Sequence, residues 1–452
     1  MQAQSLNSST IGELTAMVDL PNPYDYDPAA LLPRQIGAAN ERFQAQVNQI
    51  ALLRNRAELG GVREVTGPAD LVPLLFAHTA YKSYPESWLV EGRWDRMAKW
   101  LDTVSSGTVD RIDGPVGGLD DWLAALESQG HYVACSSGTT GKCSLMDATW
   151  DDLVFAGKSS LTTVRCSGVE ANQDRIMIAL GQTASTARNR ETGKPMMQAF
   201  TKPGSVPFTP NVPKITMGKI LDMIVLRKSL ADGTALPSEV ARFERESAQR
   251  QADFESAVDQ AVEGIIERRT EKLHFGGMFP SLYALAKGVR ERGFSAKDFQ
   301  DNTAYVAGGL KRAELPADYQ QFVADTLNVT ADRVCMAYGM QELNSSVPRC
   351  SAGRYHMPPW LIFLLLDEAG ETLIEPVADG EIEGRAAFFD VSLEGRWGGV
   401  ISGDKVRATW AQCACGNRSP SIDQDIRRYA DLVGGDKIAC SGTIDAYVRG
   451  AV

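Results

Sequence analysis

Short apolar runs that end in glycine- or hydroxyl-rich turns and give way to helical patterns recur along this chain, and that rhythm constrains its fold more than any other feature. His131 to Cys135 leads into a Ser/Gly/Thr loop and then a helical stretch beginning near Trp150, and Arg175 to Leu180 reads as a strand. Leu273 to Met278 passes through Pro280, suited to a helix start, into Leu282, Leu285, Ala286 and Val289 at helical spacing. Ala304 to Ala307 and Val334 to Ala337 are short apolar runs that reach glycine turns. Glu239 to Glu271 is a charged helix with Phe254, Val258, Val262 and Ile265 on one face. The opening part is helical, from Pro33 to Glu58 and again where Trp94, Met97, Leu101 and Val104 share a face. Beyond Trp360 the pattern turns β-rich, with turns at Asp379-Gly380 and Gly398-Gly399. The expected organisation is a helical preface over 1–120, an α/β core over 121–425 with a β subdomain from about 360, and a short tail over 426–452.

Composition narrows the function. With 452 residues, 44% of them hydrophobic, the chain can bury a large core. A net charge of -11 without a basic cluster excludes a general nucleic-acid binder. Met1 to Pro28 lacks the basic start and apolar run of a signal peptide, and the longest apolar run, Trp360 to Leu366, is too short to span a bilayer. The expected location is cytoplasmic, without a membrane partner. Cysteines 135, 143, 166, 335, 350, 413, 415 and 440 are too few for a disulfide scaffold in a chain this long, so they read as thiols or metal ligands.

Cys135-Ser-Ser-Gly-Thr-Thr-Gly-Lys142 carries the most chemistry. Its small residues let main-chain N–H groups approach a phosphate, and its hydroxyls and ammonium add donors. Only two residues separate Gly138 from Gly141-Lys142, which excludes the P-loop of the common NTPases. Downstream, in order, stand Gly308-Gly309-Leu310, Tyr338-Gly339-Met340-Gln341-Glu342, Gly380-Glu381-Ile382 and Ser402-Gly403-Asp404. Singly these have bland readings: a plain turn, a core tyrosine, a first-turn helix acid for Glu342, a turn residue for Asp404.

Together they resemble the ordered motifs of the acyl- and aryl-adenylate-forming superfamily (acyl-CoA ligases, peptide-synthetase adenylation domains, luciferases). The phosphate loop of that superfamily reads Ser-Ser-Gly-Thr-Thr-Gly-Lys and its second motif Tyr-Gly-Met-Thr-Glu. The resemblance implies an adenylate-forming large N-terminal domain of layered αβ sheets with a small β subdomain, and ATP and Mg2+ as cofactors. It implies that Ser136, Ser137, Gly138, Thr139, Thr140, Gly141 and Lys142 hold the ATP phosphates, that Gly308 and Gly309 line the adenine slot, and that Tyr338, beside Gly339, stacks on the base. Glu342 would hold magnesium and Asp404 both ribose hydroxyls. Gln341 departs from the usual Thr, leaving an amide where a hydroxyl would meet phosphate. The acyl pocket is expected near His274, Gly276, Gly277 and Ala307, by position between motifs. A core histidine is the plainer reading of His274.

Two branches are most similar, the acyl-protein synthetases and the phenylacetate-CoA ligase-like enzymes. The stretch His78-Thr-Ala-Tyr-Lys-Ser-Tyr-Pro85 resembles the first, and Cys413-Ala-Cys415-Gly-Asn-Arg resembles a Cys-x-Cys-Gly-Arg segment of the second. Cys350, His356, Cys413 and Cys415 offer three thiolates and one imidazole, a set suited to a closed, structural Zn2+ site. Unrelated buried thiols beside a core histidine are the alternative. Tyr429 to Gly442 resembles the hinge after which the superfamily carries a mobile catalytic domain, so that domain is expected to be truncated or absent. Cys440 matches the position of the C-terminal acyl-accepting cysteine of acyl-protein synthetases, against a free thiol without a role.

The implied reaction is ATP-dependent activation of a fatty or aromatic carboxylic acid to an acyl-adenylate. Transfer to a thiol follows: a protein cysteine, a carrier protein, CoA, or a partner acyl-transferase or reductase subunit. Lys142, Glu342 and Cys440 would carry the chemistry. An amide-forming ligase and an inactive nucleotide-binding regulatory subunit stay open. Arg188, Arg190 and Lys194 read as a solvated loop or as contacts to an anionic substrate.

Overall fold

The computed structural model of the protein describes residues 9–136, 142–179, 186–209, 216–308, 310, 313–377 and 379–432, with the side chains of Ser136, Ala179 and Ala307 outside the description. Its contacts divide the chain into two compact units, the first drawn from Met1–Ser136, Cys143–Ser159 and Met340–Val452, the second from Ser137–Lys142 and Ser160–Gly339. The units therefore do not follow chain order, and the helical preface belongs with the β-rich end.

In the first unit, Asp27 caps the helix Pro28–Gln46 by accepting from the amides of Ala29 at 2.9 Å and Ala30 at 3.4 Å, with Pro28 pre-set for the first turn. Three side chains of that helix donate to main-chain carbonyls of the β-rich segment: Gln35 to Pro359 at 2.8 Å, Arg42 to Val391 at 3.0 Å and Gln46 to Glu394 at 2.8 Å. These bonds satisfy carbonyls that burial would otherwise leave unpaired. The sheet beneath runs Leu361–Leu366, Ile382–Asp390, Gly399–Thr409, Ser421–Ile422, Tyr355–His356, all antiparallel neighbours. Phe76–Ala77 adds in parallel and Arg427–Arg428 antiparallel to Gly399–Thr409. Leu361–Leu366 is buried along its whole length, as its unbroken apolar run requires. Trp397 is buried between Phe43 and Phe389 with its indole N–H on the Leu74 carbonyl at 2.9 Å.

Here one expectation changes. The strand before the Ser/Gly/Thr loop covers Ala134–Ser136 and pairs antiparallel with Ser144–Met146, in register Cys135 to Leu145. The strand Ser144–Met146, not read in the sequence, thus stands between the loop segment and the helix Trp150–Cys166. Beside the hairpin, buried His131 sets Nδ1 2.7 Å from Asp147 Oδ2 and Nε2 3.1 Å from the Thr108 carbonyl. The Asp147 hydrogen bond, against partial burial, raises the His131 pKa above its ordinary value. A raised folded-state pKa contributes stability that is present below the unfolded value and lost as pH rises through the folded one. His131→Gln is therefore expected to lower the melting temperature more at about pH 6 than at about pH 9. Melting curves across that window check it, and a pH-independent difference would contradict it.

The second unit is built on four parallel strands in spatial order, Ile176–Ala179, Leu273–Gly277, Thr303–Ala307 and Val334–Tyr338. The helix Phe279–Glu291 places Leu282, Leu285 and Val289 against Leu273, Phe275 and Val306, and Pro237–Glu267 adds Val262 and Ile265. Each such side chain contributes on the order of 1.5–3 kcal/mol by burial. Helix starts and stops follow the periodicity closely here. Arg188, Arg190 and Lys194, read as loop, instead lie on the helix Ala187–Phe200, capped by Thr186, and Arg188 is buried. Gly193 and Pro195 within that helix broke its sequence signal. The helix Met217–Ala231, whose charged Lys219, Asp222, Arg227 and Lys228 are spread around it, gave no periodicity to read. No helix among the described residues is long and apolar enough to cross a membrane.

Candidate functional site

In the second unit the residues singled out in sequence gather at one edge of the parallel sheet. Gly276 and Gly277 close the strand Leu273–Gly277, Gly308 follows Thr303–Ala307, and Tyr338 ends Val334–Tyr338. All lie at carboxyl ends of adjacent parallel strands, the edge where open α/β sheets bind ligands. Gly308 is exposed with φ +82°, a left-handed backbone that side chains resist. Tyr338 and Lys142 are half-buried, and Gly339 is exposed. Ser137, Gly138, Thr139, Thr140, Gly141, Gly309 and Cys440 lie outside the described residues.

His274 sits one layer below this edge. It is fully buried, its ring stacked on Phe200 with centroids 4.1 Å apart, and Nδ1 lies 2.8 Å from Thr303 Oγ1. Burial, with a lesser contribution from Arg175, pushes its pKa down to about 3, so the ring is neutral.

In the first unit Glu342 stands in a turn, not in a helix, closed by the Leu343 amide on the Met340 carbonyl at 3.2 Å. Gln341 and Glu342 are half-buried. Asp404 lies on the strand Gly399–Thr409, opposite Arg428, with its side chain 16% exposed and Oδ1 4.0 Å from Arg428 Nε. Its amide donates to Ser402 Oγ at 3.1 Å, and Ser402 Oγ donates to the Ala386 carbonyl at 2.7 Å, which fixes the irregular stretch of the strand before the carboxylate.

Cys350, His356, Cys413 and Cys415 meet, their ligand atoms all within 4.8 Å of one another. Topology explains it. His356 is on the strand Tyr355–His356 paired to Ser421–Ile422, while the Cys413 amide on the Asn417 carbonyl and the Gly416 amide on the Cys413 carbonyl, both at 2.9 Å, curl the second loop back. Cys350 and Cys413 sulfurs are 3.8 Å apart, and Cys415 Sγ is 3.4 Å from His356 Nε2. His356 Nδ1 lies 3.0 Å from Ser419 Oγ, which leaves Nε2 as the nitrogen facing the thiols. Burial holds the imidazole pKa down at about 4, the neutral form that ligates metal. Three soft thiols and one oriented imidazole fit a tetrahedral zinc ion.

Sequence reading missed the buried charges that support these segments. Arg385, fully buried, donates to the Ser402 carbonyl at 3.0 Å and lies 3.9 Å over the Tyr429 ring. Asp390, also fully buried, accepts from the amides and hydroxyls of Ser345 and Ser392 and from the Asn344 amide. Burial pushes its pKa up against those donors. A charged residue at each end of the apolar run Ala386 to Phe389 was the available signal.

The sequence matches no protein-family model and no curated protein sequence. Solved structures share its fold. 2-Hydroxyisobutyryl-CoA ligase in an open conformation with 2-HIB-AMP and CoA aligns with a TM-score of 0.58 at 12% identity, over 91% of this chain and 72% of that one. The same ligase in its thioesterification state gives 0.56 at 13% over 91% and 71%. In its postadenylation state with R3-HIB-AMP it gives 0.55 at 11% over 90% and 69%. At such identities the likeness is one of fold.

Proposed function

The chain has the fold of the adenylate-forming ligases, and on that fold we propose that it joins a carboxylic acid to ATP as an acyl-adenylate and then passes the acyl group to a thiol. The observation that carries this reading is the row of Gly277, Gly308 and Tyr338 at the carboxyl ends of three adjacent parallel strands, in a chain bearing Ser136 to Lys142. Similar structures were solved with an acyl-adenylate and CoA.

In the first half-reaction a carboxylate oxygen attacks the α-phosphorus, an acyl–O–P bond forms, and the bond to pyrophosphate breaks. In the second a thiolate sulfur attacks the acyl carbon and the C–O bond to AMP breaks, with the thiol proton passing to solvent. The protein's part is to position and to neutralise charge. Ser136 to Gly141 supply phosphate donors and Lys142 the ammonium. Tyr338 offers an aromatic face to the purine, and Asp404 accepts from both ribose hydroxyls. Gly308 and Gly309 line the adenine slot, while Gly276, Gly277 and Ala307 leave room for the acid above buried His274. Glu342, a hard oxygen donor, fits magnesium, which when bound offsets the charge of the phosphates. Cys350, His356, Cys413 and Cys415 fit zinc as a structural tie.

Incubation with ATP, magnesium, a panel of fatty and aromatic acids, and both CoA and a primary amine tests this. The expected products are AMP, pyrophosphate and a thioester, read by mass. An amide would move the acceptor to an amine, and ADP with phosphate would overturn the reading.

A further inference from the structure

Resting on the assignment of Glu342 as the magnesium carboxylate, we propose that Arg396 is a positioning residue that sets this carboxylate by gripping the main chain on which it stands. Arg396 is fully buried beside the Tyr81 side chain, and its guanidinium donates to three main-chain carbonyls. Nη1 donates to Asp147 at 2.6 Å, while Nη2 donates to Gln341 at 3.1 Å and to Glu342 at 3.0 Å. Nε has no hydrogen-bond partner among the described residues. A buried guanidinium with an unpaired N–H gains little stability over an apolar side chain of similar volume, so the arrangement is better explained by the geometry it imposes.

The grip is reinforced from the other side of the same short segment. Asp390 Oδ2 accepts the amides of Asn344 at 3.0 Å and Ser345 at 3.1 Å, and the Asn344 side chain donates to Asp152 Oδ1 at 2.9 Å. Asp152 also accepts the amides of Glu394 and Gly395, each at 2.8 Å, so the residues just before Arg396 are tied to the same carboxylate. A Cβ on Gly395 would lie 2.7 Å from Ala148 Cα, so the chain passes there only as glycine. The carbonyls of 341 and 342 and the amides of 344 and 345 are thereby fixed from two buried sources, one cationic and one anionic. A lysine at 396 would offer its donors from one point and could not span the carbonyls of Asp147 and of the 341–342 turn together.

The test is the magnesium dependence of acid-stimulated ATP–pyrophosphate exchange in wild type, Arg396→Lys, Asn344→Ala and Glu342→Gln, with melting temperatures of each. Arg396→Lys is expected to raise the magnesium concentration for half-maximal exchange by about tenfold, and Asn344→Ala by about threefold, while the ATP requirement at saturating magnesium changes less than twofold. Loss of packing alone would lower the melting temperature without moving the metal requirement. If Arg396→Lys does not fold, Asn344→Ala, which leaves Asp152 its other donors, decides the matter. An unchanged metal requirement in the folded variants, with Glu342→Gln inactive, would overturn the role of Arg396 and spare the function. Exchange in Glu342→Gln equal to wild type, or none in wild type, would overturn both.

Discussion

Asp404→Ala is expected to reduce acid-dependent ATP–pyrophosphate exchange by at least about a hundredfold while leaving the fold intact. The carboxylate is mostly buried, its amide is fixed by Ser402 Oγ, and the strand Gly399–Thr409 is held on both sides by antiparallel neighbours, so truncation removes acceptors without releasing the chain. Two charge-assisted hydrogen bonds to a ribose diol are worth about 1.5–3 kcal/mol each, and water regains only part of them. Asp404→Asn, which keeps one acceptor oxygen, should fall between the variant and the parent. Measuring exchange beside the melting temperature separates the binding loss from unfolding. Exchange within a few fold of wild type in Asp404→Ala would remove Asp404 from the nucleotide site.

On the proposal that the Cys/His cluster holds zinc, its removal is expected to have the second large effect. A zinc ion on the four ligand atoms would tie the loop at Cys350, the strand Tyr355–His356 and the turn at Cys413 to Cys415, adding to the Cys350 amide on the Arg354 carbonyl and to the pairing of Tyr355–His356 with Ser421–Ile422. Structural zinc stabilises small domains by roughly 10 kcal/mol or more, and here the sheet already carries part of the organisation. A loss of several kcal/mol would lower the melting temperature by about 10 °C. Metal analysis should find one zinc per chain, and Cys413→Ser or a strong chelator should produce both the zinc loss and the lower melting temperature. Protein without zinc, whose melting is indifferent to chelation, would leave the cluster as four side chains that merely adjoin.

What the sequence disclosed, and what it withheld, has a physical pattern. Strands of the parallel sheet were legible because their apolar runs are short and end at glycines, as in Leu273–Gly277 and Thr303–Ala307. The long amphipathic helix Pro237–Glu267 was legible by its period. The Cys/His set could be grouped from ligand chemistry alone, although its members are separated by up to 65 positions, Cys350 to Cys415. Pairing was not legible. Nothing in Ala134–Ser136 says that its partner is the next strand, antiparallel, because register depends on contacts that a single segment does not encode. Nor could the grouping of residues 9–136 with those after 340 be read, since it rests on side chains such as Gln35 and Arg42 that look like ordinary helix surface in sequence. The buried arginines 385 and 396 were missed for the same reason: they donate to carbonyls, which every sequence has everywhere.

Pyrophosphate exchange without any thiol present tests the central claim most directly, because it reports formation of the acyl-adenylate alone. With ATP, magnesium and labelled pyrophosphate, one class of fatty or aromatic acid should stimulate incorporation of label into ATP, and Lys142→Ala should abolish it. Absence of exchange with every acid, in protein that still binds ATP, would contradict adenylation and make the chain a nucleotide-binding subunit instead.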